Sequence, residues 1–182
     1  MPEPSPNPAI FQVLIVDDNR AIHQDFEKIL APRQNGPSPL KDLETSLFGK
    51  TPQPEPGMRL KIESAYQGQE ALAMVQSALS QGRPYALAFV DVLMPPGWDG
   101  VETAIRLLEA DPELQIVLCT AYSDYDLDRA IPRLKADGRL LILKKPFESV
   151  EVVRLAMALT AKWALNRAVR QGKGDLEAPG KA

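Results

Sequence analysis

The sequence predicts an α/β fold, in which a doubly wound five-stranded parallel sheet carries helices on both faces. Short apolar segments of strand length alternate with longer segments whose apolar residues recur at helical spacing. Most of the short segments are continuously apolar, as is typical of parallel strands that are covered on both faces. The 182 residues, of which 45% are apolar and 25% charged, suffice for one domain with a substantial core.

Five strand–helix pairs follow one another along the chain. The predicted strands are Phe11–Val16, Leu60–Ala65, Tyr85–Val90, Gln115–Cys119 and Leu140–Leu143. The predicted helices are Ala21–Leu30, Gly68–Ser80, Val101–Ala110, Asp124–Lys135, which Pro132 shortens or kinks, and Val150 to about Arg170. Because open doubly wound sheets bind ligands at the carboxyl ends of their strands, we expect the functional residues at that edge.

Proline distribution suggests the domain boundaries. Ten of the 17 prolines precede Met58. We expect residues 1–9 to form a disordered tail and residues 10–165 to form the domain, with a proline-rich surface insertion at about 32–57. Residues 166–182 are expected to form a helical extension followed, from Gly172, by a flexible tail.

Composition excludes several classes of function. The net charge of −3 shows no basic excess, so we expect no direct binding of nucleic acid. A single cysteine and a single histidine exclude an intramolecular disulfide and a zinc site built from thiolates and imidazoles. No apolar run approaches ~18 residues and no secretory signal is evident, so we expect a cytoplasmic protein without membrane attachment.

Charged and hydroxyl side chains follow four of the five predicted strands. Asp17 and Asp18 follow the first strand, Asp91 the third, Thr120 the fourth, and Lys144 and Lys145 the fifth. Two carboxylates ~4 Å apart repel by about 4 kcal/mol at an effective dielectric of 20, so three of them need a cation or a proton. An all-oxygen site suits Mg²⁺, and lysine and hydroxyl groups suit phosphate oxygens. The set is therefore what an aspartyl-phosphate requires.

The motifs that carry these residues resemble the receiver domain of two-component response regulators, the fold of the bacterial chemotaxis regulator. They are VLIVDD (Val13–Asp18), FVDVLMP (Phe89–Pro95), LCTA (Leu118–Ala121) and KKPF (Lys144–Phe147). The resemblance implies a flavodoxin-like sheet with strand order 2-1-3-4-5. Longer pieces such as SAYQGQEAL and MPPGWDG look like a subgroup often fused to sensor kinases or cyclic-nucleotide signalling domains.

The resemblance also implies a metal site and a phosphoacceptor. Asp91 would accept the phosphoryl group and bind Mg²⁺. Asp18 would bind the metal directly and Asp17 largely through water. The backbone carbonyl of Leu93 would complete the protein ligands.

Two further residues would contact the phosphoryl group. Thr120 would bind it and move inward on activation, and Lys145 would pair with its oxygens. The Lys145–Pro146 bond is expected to be cis, although X–Pro bonds are cis in only ~5–6% of cases. Lys144 is read as a solvated neighbour.

Four other positions carry weaker expectations. His23 lies off the apolar stripe of its helix and is expected to be solvated, and Cys119 is expected to be an inert small hydrophobe. Gly100 stands nine residues after Asp91, one more than the family's common spacing, which suggests a reshaped loop. Ile142 occupies the family's usual aromatic switch position.

The interpretation is a receiver in a bacterial two-component phosphorelay. It would take a phosphoryl group from a histidine kinase or phosphotransfer protein and signal through an effector protein or a fused domain, with a homodimer through the C-terminal helix left open. One alternative is a pseudo-receiver that acts only as a binding module. The other is an aspartate-nucleophile phosphatase, which the apolar Leu93 disfavours because that chemistry usually needs an acid at this position.

Overall fold

A single parallel sheet organises the chain. The computed structural model describes residues 9–31, 58–121, 132 and 138–176. The sheet has five strands in the order β2-β1-β3-β4-β5, all parallel, so the predicted fold class and strand order are confirmed. The strands are β1 Ala9–Val16, β2 Met58–Ala65, β3 Tyr85–Asp91, β4 Gln115–Thr120 and β5 Leu140–Lys144.

Helices pack on both faces of this sheet, as predicted. Those described are α1 Arg20–Leu30, α2 Gly68–Ser80, α3 Gly100–Ala110 and α4 Ser149–Leu176. Most predicted boundaries lie within two residues of these. The predicted helix Asp124–Lys135, apart from Pro132, lies outside the described residues, as do residues 1–8, the insertion at 32–57 and residues 177–182.

Two of the predicted boundaries are wrong. Ala9, assigned to the tail, is the first residue of β1, because it pairs with Met58 of β2. The last helix runs to Leu176 and not to about Arg170, so it includes Gly172. Arg167 and Arg170 approach the carboxylate of Glu113, at 3.6 and 3.4 Å. These ion pairs join the helix to the turn that precedes β4. Once a helix has formed, each following residue adds a helical hydrogen bond, so extending it costs little.

Alternate residues of β1 divide the core into two layers. Leu14 and Val16 face α2 and α3, where they join a buried cluster with residues such as Val75 and Leu107. Val13 and Ile15 face α1 and α4, where the second cluster comprises Phe26, Leu30, Leu87, Phe89, Val117, Cys119, Leu143, Val152, Ala156 and Leu159. Each fully buried large apolar side chain contributes ≈ 1.5–3 kcal/mol, so this core holds the strand ends in fixed positions.

The register of the strands determines which residues meet at the carboxyl edge. Val16 of β1 pairs with Val90 of β3, so the chain leaves the two strands at Asp17 and Asp91 on the same edge. Thr120 of β4 pairs with Lys144 of β5. Four of the strands therefore deliver the predicted polar residues to one place.

Within the described ranges, none of the helices combines the length and the apolar character that crossing a bilayer requires.

Candidate functional site

Three carboxylates meet at the carboxyl edge of the sheet. Asp17, Asp18 and Asp91 each offer an oxygen, and these oxygens lie within 4.8 Å of one another. Asp17 and Asp91 are buried, whereas Asp18 is exposed and opens the cluster to solvent. Residues that are 74 positions apart, Asp17 and Asp91, thus form the group that the sequence predicts.

Lys145 supplies positive charge to this cluster. Its Nζ donates a hydrogen bond to Asp91 Oδ1 at 2.7 Å and lies 3.4 Å from Asp17 Oδ2. The lysine main chain is held by β4, since its N–H donates to the carbonyl of Thr120 at 2.7 Å. The Lys145–Pro146 peptide bond is cis, as predicted. The lysine therefore partly offsets the repulsion between the carboxylates.

The main chain and the side chain of Asp17 are both held by hydrogen bonds. Its N–H donates to the carbonyl of Ala65 in β2 at 3.2 Å. Its Oδ1 accepts from the N–H of Asn19 at 2.8 Å, and its carbonyl oxygen lies 2.7 Å from His23 Nε2. Asn19 also caps α1, because its side chain accepts from the N–H of Ala21 at 3.0 Å. The acidic pair is thus fixed between the end of β1 and the start of α1.

The prediction for His23 is wrong. The side chain is only 3% exposed, although it was expected to be solvated. It lies against the end of β2, with Nδ1 2.9 Å from Ser64 Oγ and its ring 4.6 Å from the ring of Tyr66. The spacing contained a signal for this, since His23, Phe26 and Leu30 recur at positions i, i+3 and i+7 and are the buried residues of α1.

Gly100 brings the start of α3 against the end of β3, where Asp91 lies. Its N–H donates to the carbonyl of Val92 at 2.8 Å. A Cβ at this position would lie 2.2 Å from the carbonyl oxygen of Asp91 and 2.7 Å from Val92 Cα, so only glycine fits. Asp99 caps the helix by accepting from the N–H of Glu102 at 2.8 Å. The longer spacing after Asp91 is therefore accommodated before α3 begins.

Thr120 and Leu93 are the two other residues predicted for the site. Thr120 ends β4, is buried, and donates its hydroxyl to the carbonyl of Ala121 at 3.0 Å. Leu93 follows Asp91 by two residues, and its side chain is exposed. Their roles toward a phosphoryl group and a metal remain predictions.

Comparison with known proteins identifies the family. The family model described as "Response regulator receiver domain" matches residues 51–156, more than half of the chain. The chain belongs to the response regulator receiver domain family. The matched range begins after the first strand, so it contains Asp91, Thr120 and Lys145 but neither Asp17 nor Asp18.

A curated relative and two solved structures are similar to this receiver. The response regulator receiver protein CpdR of Brucella abortus (strain 2308) is 34% identical over 73 residues, which are 40% of this chain and 58% of CpdR. The match thus spans less than two thirds of the length of that relative.

The two structures share the fold of this receiver. A structure described as adenylate cyclase from Rhodopirellula baltica aligns with TM-score 0.62 and 18% identity, covering 94% of this chain and 100% of that one. A CheY-like receiver domain protein from Methanospirillum hungatei JF-1 aligns with TM-score 0.59 and 18% identity, covering 87% of this chain and 99% of that one.

The electrostatics of the receiver's acidic cluster suit a cation. Burial is the largest influence on Asp91 and raises the pKa of its carboxyl, the charges of Asp17 and Asp18 add to the rise, and the hydrogen bond from Lys145 reverses it only in part. Burial alone would lower the pKa of the Lys145 ammonium, but its bond to Asp91 and the charges of both buried aspartates raise it above the ordinary value. The lysine therefore remains charged at neutral pH.

The donor set of the cluster fits Mg²⁺. Mg²⁺ prefers oxygen ligands, keeps several waters and is typically held by one or two carboxylates together with phosphate oxygens. Here every side chain of the acidic group offers oxygen, and the exposed Asp18 leaves one side open for water and phosphate.

Cys119 lies beside this site, and its side chain packs in the core. It pairs with Asp91 across β3 and β4 and is buried. Burial raises the pKa of its thiol to about 12, so it stays protonated. This agrees with the prediction of a packing residue.

A second concave surface of about 360 Å³ lies between α2 and the other end of the sheet. Lys61 Nζ lies 2.6 Å from Glu63 Oε1, and the hydroxyl of Tyr85 donates to Glu63. The other two charged residues of this surface, Glu70 and Arg83, also have hydrogen-bond partners. Because these charged groups already have partners, the acidic edge, where three carboxylates converge, is the stronger candidate site.

Proposed function

We propose that this receiver accepts a phosphoryl group on Asp91 in a Mg²⁺-dependent reaction. The observation that carries the proposal is the hydrogen bond of 2.7 Å from Lys145 Nζ to Asp91 Oδ1 within a group of three carboxylates. A buried strand that ends in a carboxylate beside two others is costly to maintain, and a phosphorylation site accounts for all four charged groups at once.

The reaction is a nucleophilic displacement at phosphorus. A carboxylate oxygen of Asp91 attacks the phosphoryl group of a phosphohistidine, an O–P bond forms and the N–P bond breaks. The electron pair of that bond returns to the imidazole of the donor, which takes a proton from water. The ammonium of Lys145 would then pair with the oxygens of the transferred phosphoryl group. Bound Mg²⁺, held by Asp17, Asp18, Asp91 and the Leu93 carbonyl, would neutralise charge on the transferred group.

Thr120 would change its hydrogen bonding when the phosphoryl group is present. Its hydroxyl now donates to the carbonyl of Ala121. A phosphoryl oxygen is a stronger acceptor because it is charged, so we expect the hydroxyl to change partners and the end of β4 to move with it.

The proposed donor is a histidine kinase or a phosphotransfer protein in the cytoplasm, and the output would pass to an effector protein or a fused domain. The similarity to a structure described as an adenylate cyclase supports the fused arrangement. The C-terminal part of α4 is one candidate for a contact between two copies, because Leu165 and Val169 are 66% and 51% exposed on it.

Phosphorylation in vitro tests the proposal. The chain is incubated with Mg²⁺ and acetyl phosphate, and intact mass spectrometry is used to look for one base-labile phosphate. Asp91→Asn should abolish the adduct. Asp111→Asn is the matched control, because Asp111 is also a buried aspartate whose pKa burial raises, and it lies at the end of α3 outside the acidic group.

The same experiment separates the alternatives. No adduct on the wild-type chain, with Mg²⁺ or without it, would contradict the proposal and favour a phosphorylation-independent binding module. Sustained release of phosphate from several unrelated phosphomonoesters would favour the phosphatase.

A further inference from the structure

His23 connects the second strand to the acidic cluster. The end of β2 supplies neither a charged residue nor a predicted site residue at this edge, whereas the ends of the other four strands supply Asp17 and Asp18, Asp91, Thr120 and Lys145. However, Ser64 Oγ in β2 lies 2.9 Å from His23 Nδ1, and His23 Nε2 lies 2.7 Å from the carbonyl oxygen of Asp17. His23 thus forms a bridge of hydrogen bonds between β2 and the acidic pair. The ring is 3% exposed and packs against Tyr66.

The partners of the ring define its tautomer. The carbonyl oxygen of Asp17 can only accept a hydrogen bond, so Nε2 must carry the proton. In the neutral imidazole Nδ1 is then an acceptor, and the hydroxyl of Ser64 donates to it. Both ring nitrogens are thus satisfied in one orientation, which packing against Tyr66 maintains.

The hydrogen bond acts on the peptide group between the two acidic residues. The carbonyl of Asp17 and the N–H of Asp18 belong to the same planar unit, so fixing the oxygen limits rotation of the whole plane. The N–H of Asp17 is fixed independently by the carbonyl of Ala65. His23 therefore restricts the directions in which the side chains of Asp17 and Asp18 leave the main chain.

We propose that His23 is a positioning residue for the divalent cation. It does not touch the metal or the phosphoryl group, but it orients the acidic pair that binds the metal, and it does so by tying that pair to β2. This inference rests on the proposed function, in which Asp17 and Asp18 hold Mg²⁺. Groups that orient metal ligands from outside typically change affinity by 10–100-fold when they are removed.

The test compares Mg²⁺ affinity with fold stability. Mg²⁺ binding is measured by isothermal titration calorimetry, and stability by thermal unfolding in EDTA. His23→Leu should weaken Mg²⁺ binding about tenfold, at the lower end of that range because the contact is to a main-chain oxygen. His23→Gln should restore affinity close to the wild-type value, since its amide nitrogen can donate where Nε2 does. Ser64→Ala should cause a smaller loss of Mg²⁺ affinity. If His23→Leu does not fold, this variant takes its place in the test.

Phe26→Leu is the matched control, because Phe26 is a buried residue one turn further along α1 that packs against Phe89 and Phe147. It should lower the melting temperature and leave the affinity for Mg²⁺ unchanged.

Two outcomes would overturn the inference, and they are distinguishable. If the His23 variants and Phe26→Leu lose stability alike while all bind Mg²⁺ as the wild type does, His23 is a core residue and the proposed function stands. If the wild-type chain binds no Mg²⁺, the proposed function and this inference fail together.

Discussion

Asp91 is the residue on which most of the proposed chemistry depends. It is buried beside two other carboxylates, and its only described cationic partner is Lys145. Burial and like charges raise the pKa of its carboxyl, so ionisation of Asp91 costs free energy that the folded chain must supply. Because the negative charges of this site destabilise the folded protein, binding of a cation there should stabilise it.

Neutralising Asp91 should therefore stabilise the metal-free protein. We expect Asp91→Asn in EDTA at about pH 7 to increase the free energy of unfolding by roughly 1 kcal/mol, measured by urea denaturation. Because the folded-state pKa lies above the ordinary value of 3.8, the folded protein binds this proton more tightly than the unfolded chain does. The contribution of Asp91 to stability thus falls as the pH rises from below 3.8 through the raised pKa.

The pH dependence provides a second check on the same variant. The stability gap between Asp91→Asn and the wild type should be small at the acidic end, grow with pH, and level off above the raised pKa. A variant that is less stable than the wild type throughout would show that the bond to Lys145 outweighs burial and repulsion.

Removing Lys145 should have the opposite effect. Lys145→Met leaves three carboxylates without the ammonium at 2.7 Å from Asp91, so we expect a loss of about 1–3 kcal/mol in EDTA, again from urea denaturation. Saturating Mg²⁺ should recover part of the loss because it replaces the missing positive charge.

Lys144→Met is the control for this change, because Lys144 is the exposed preceding residue. Its stability should stay within about 0.5 kcal/mol of the wild type. Equal stability of the two lysine variants in EDTA would contradict the assigned role of Lys145.

Among the helices, α3 begins directly against the main chain of Asp91, the proposed phosphoacceptor. Its first residue, Gly100, donates to Val92, the residue that follows Asp91. Any side chain at Gly100 would collide with the main chain of β3. The sequence indicated a reshaped loop here from spacing alone, but the close approach depends on the packing of α3 and could not be read from the pattern.

Two glycine substitutions in helices should therefore differ in sign. Gly100→Ala should lower the free energy of unfolding by about 1–3 kcal/mol, because the new methyl group forces β3 and α3 apart. Gly172→Ala in α4 should raise it by roughly 0.5–1 kcal/mol, since apart from the adjoining helix backbone no atom lies within 4 Å of the added carbon, and alanine is the better helix former. Chemical denaturation of both variants measures this, and destabilisation by Gly172→Ala would contradict the helical extension.

Element boundaries illustrate what local sequence contains and what it lacks. The strand cores and α2 follow from hydrophobic pattern, because burial on both faces demands apolar residues. The predicted end of α4 was wrong because Gly172 suggests that the helix stops there. In the structure the helix continues, and its residues Arg167 and Arg170 form ion pairs with Glu113, more than 50 positions earlier in the chain. Long-range contacts of this kind leave no trace in a local pattern.

For the whole molecule, the proposed metal site links binding to folding. A ligand that binds only the folded state at 100 times its dissociation constant adds about 2.7 kcal/mol to stability, or roughly 5–10 °C in melting temperature. We expect Mg²⁺ to do this for the wild type and for Asp111→Asn, and to do so much less for Asp91→Asn. Thermal unfolding with and without Mg²⁺ measures this stabilisation. Equal increases in melting temperature for all three proteins would show that the cation does not bind at the acidic cluster.

The overall fold could be predicted most completely from the sequence, and the contacts of single side chains could be predicted least. Asp17, Asp18, Asp91 and Lys145 were identified because the carboxyl ends of parallel strands share an edge, so topology brings them together. His23 was misjudged because its partners, Ser64 and the carbonyl of Asp17, become neighbours only when α1 packs across β2. Histidine at the margin of an apolar stripe is compatible with either placement until that packing is known.

The position of β1 has a practical consequence for how this protein is divided. The stretch that sequence comparison matches to the family starts at residue 51, yet β1 lies between β2 and β3 and supplies two of the three carboxylates. A fragment trimmed to that boundary would lack an interior strand, and β2 would have no neighbour to pair with. We expect such a fragment to aggregate and not to fold, so an excised version of the domain has to include β1, which begins at Ala9.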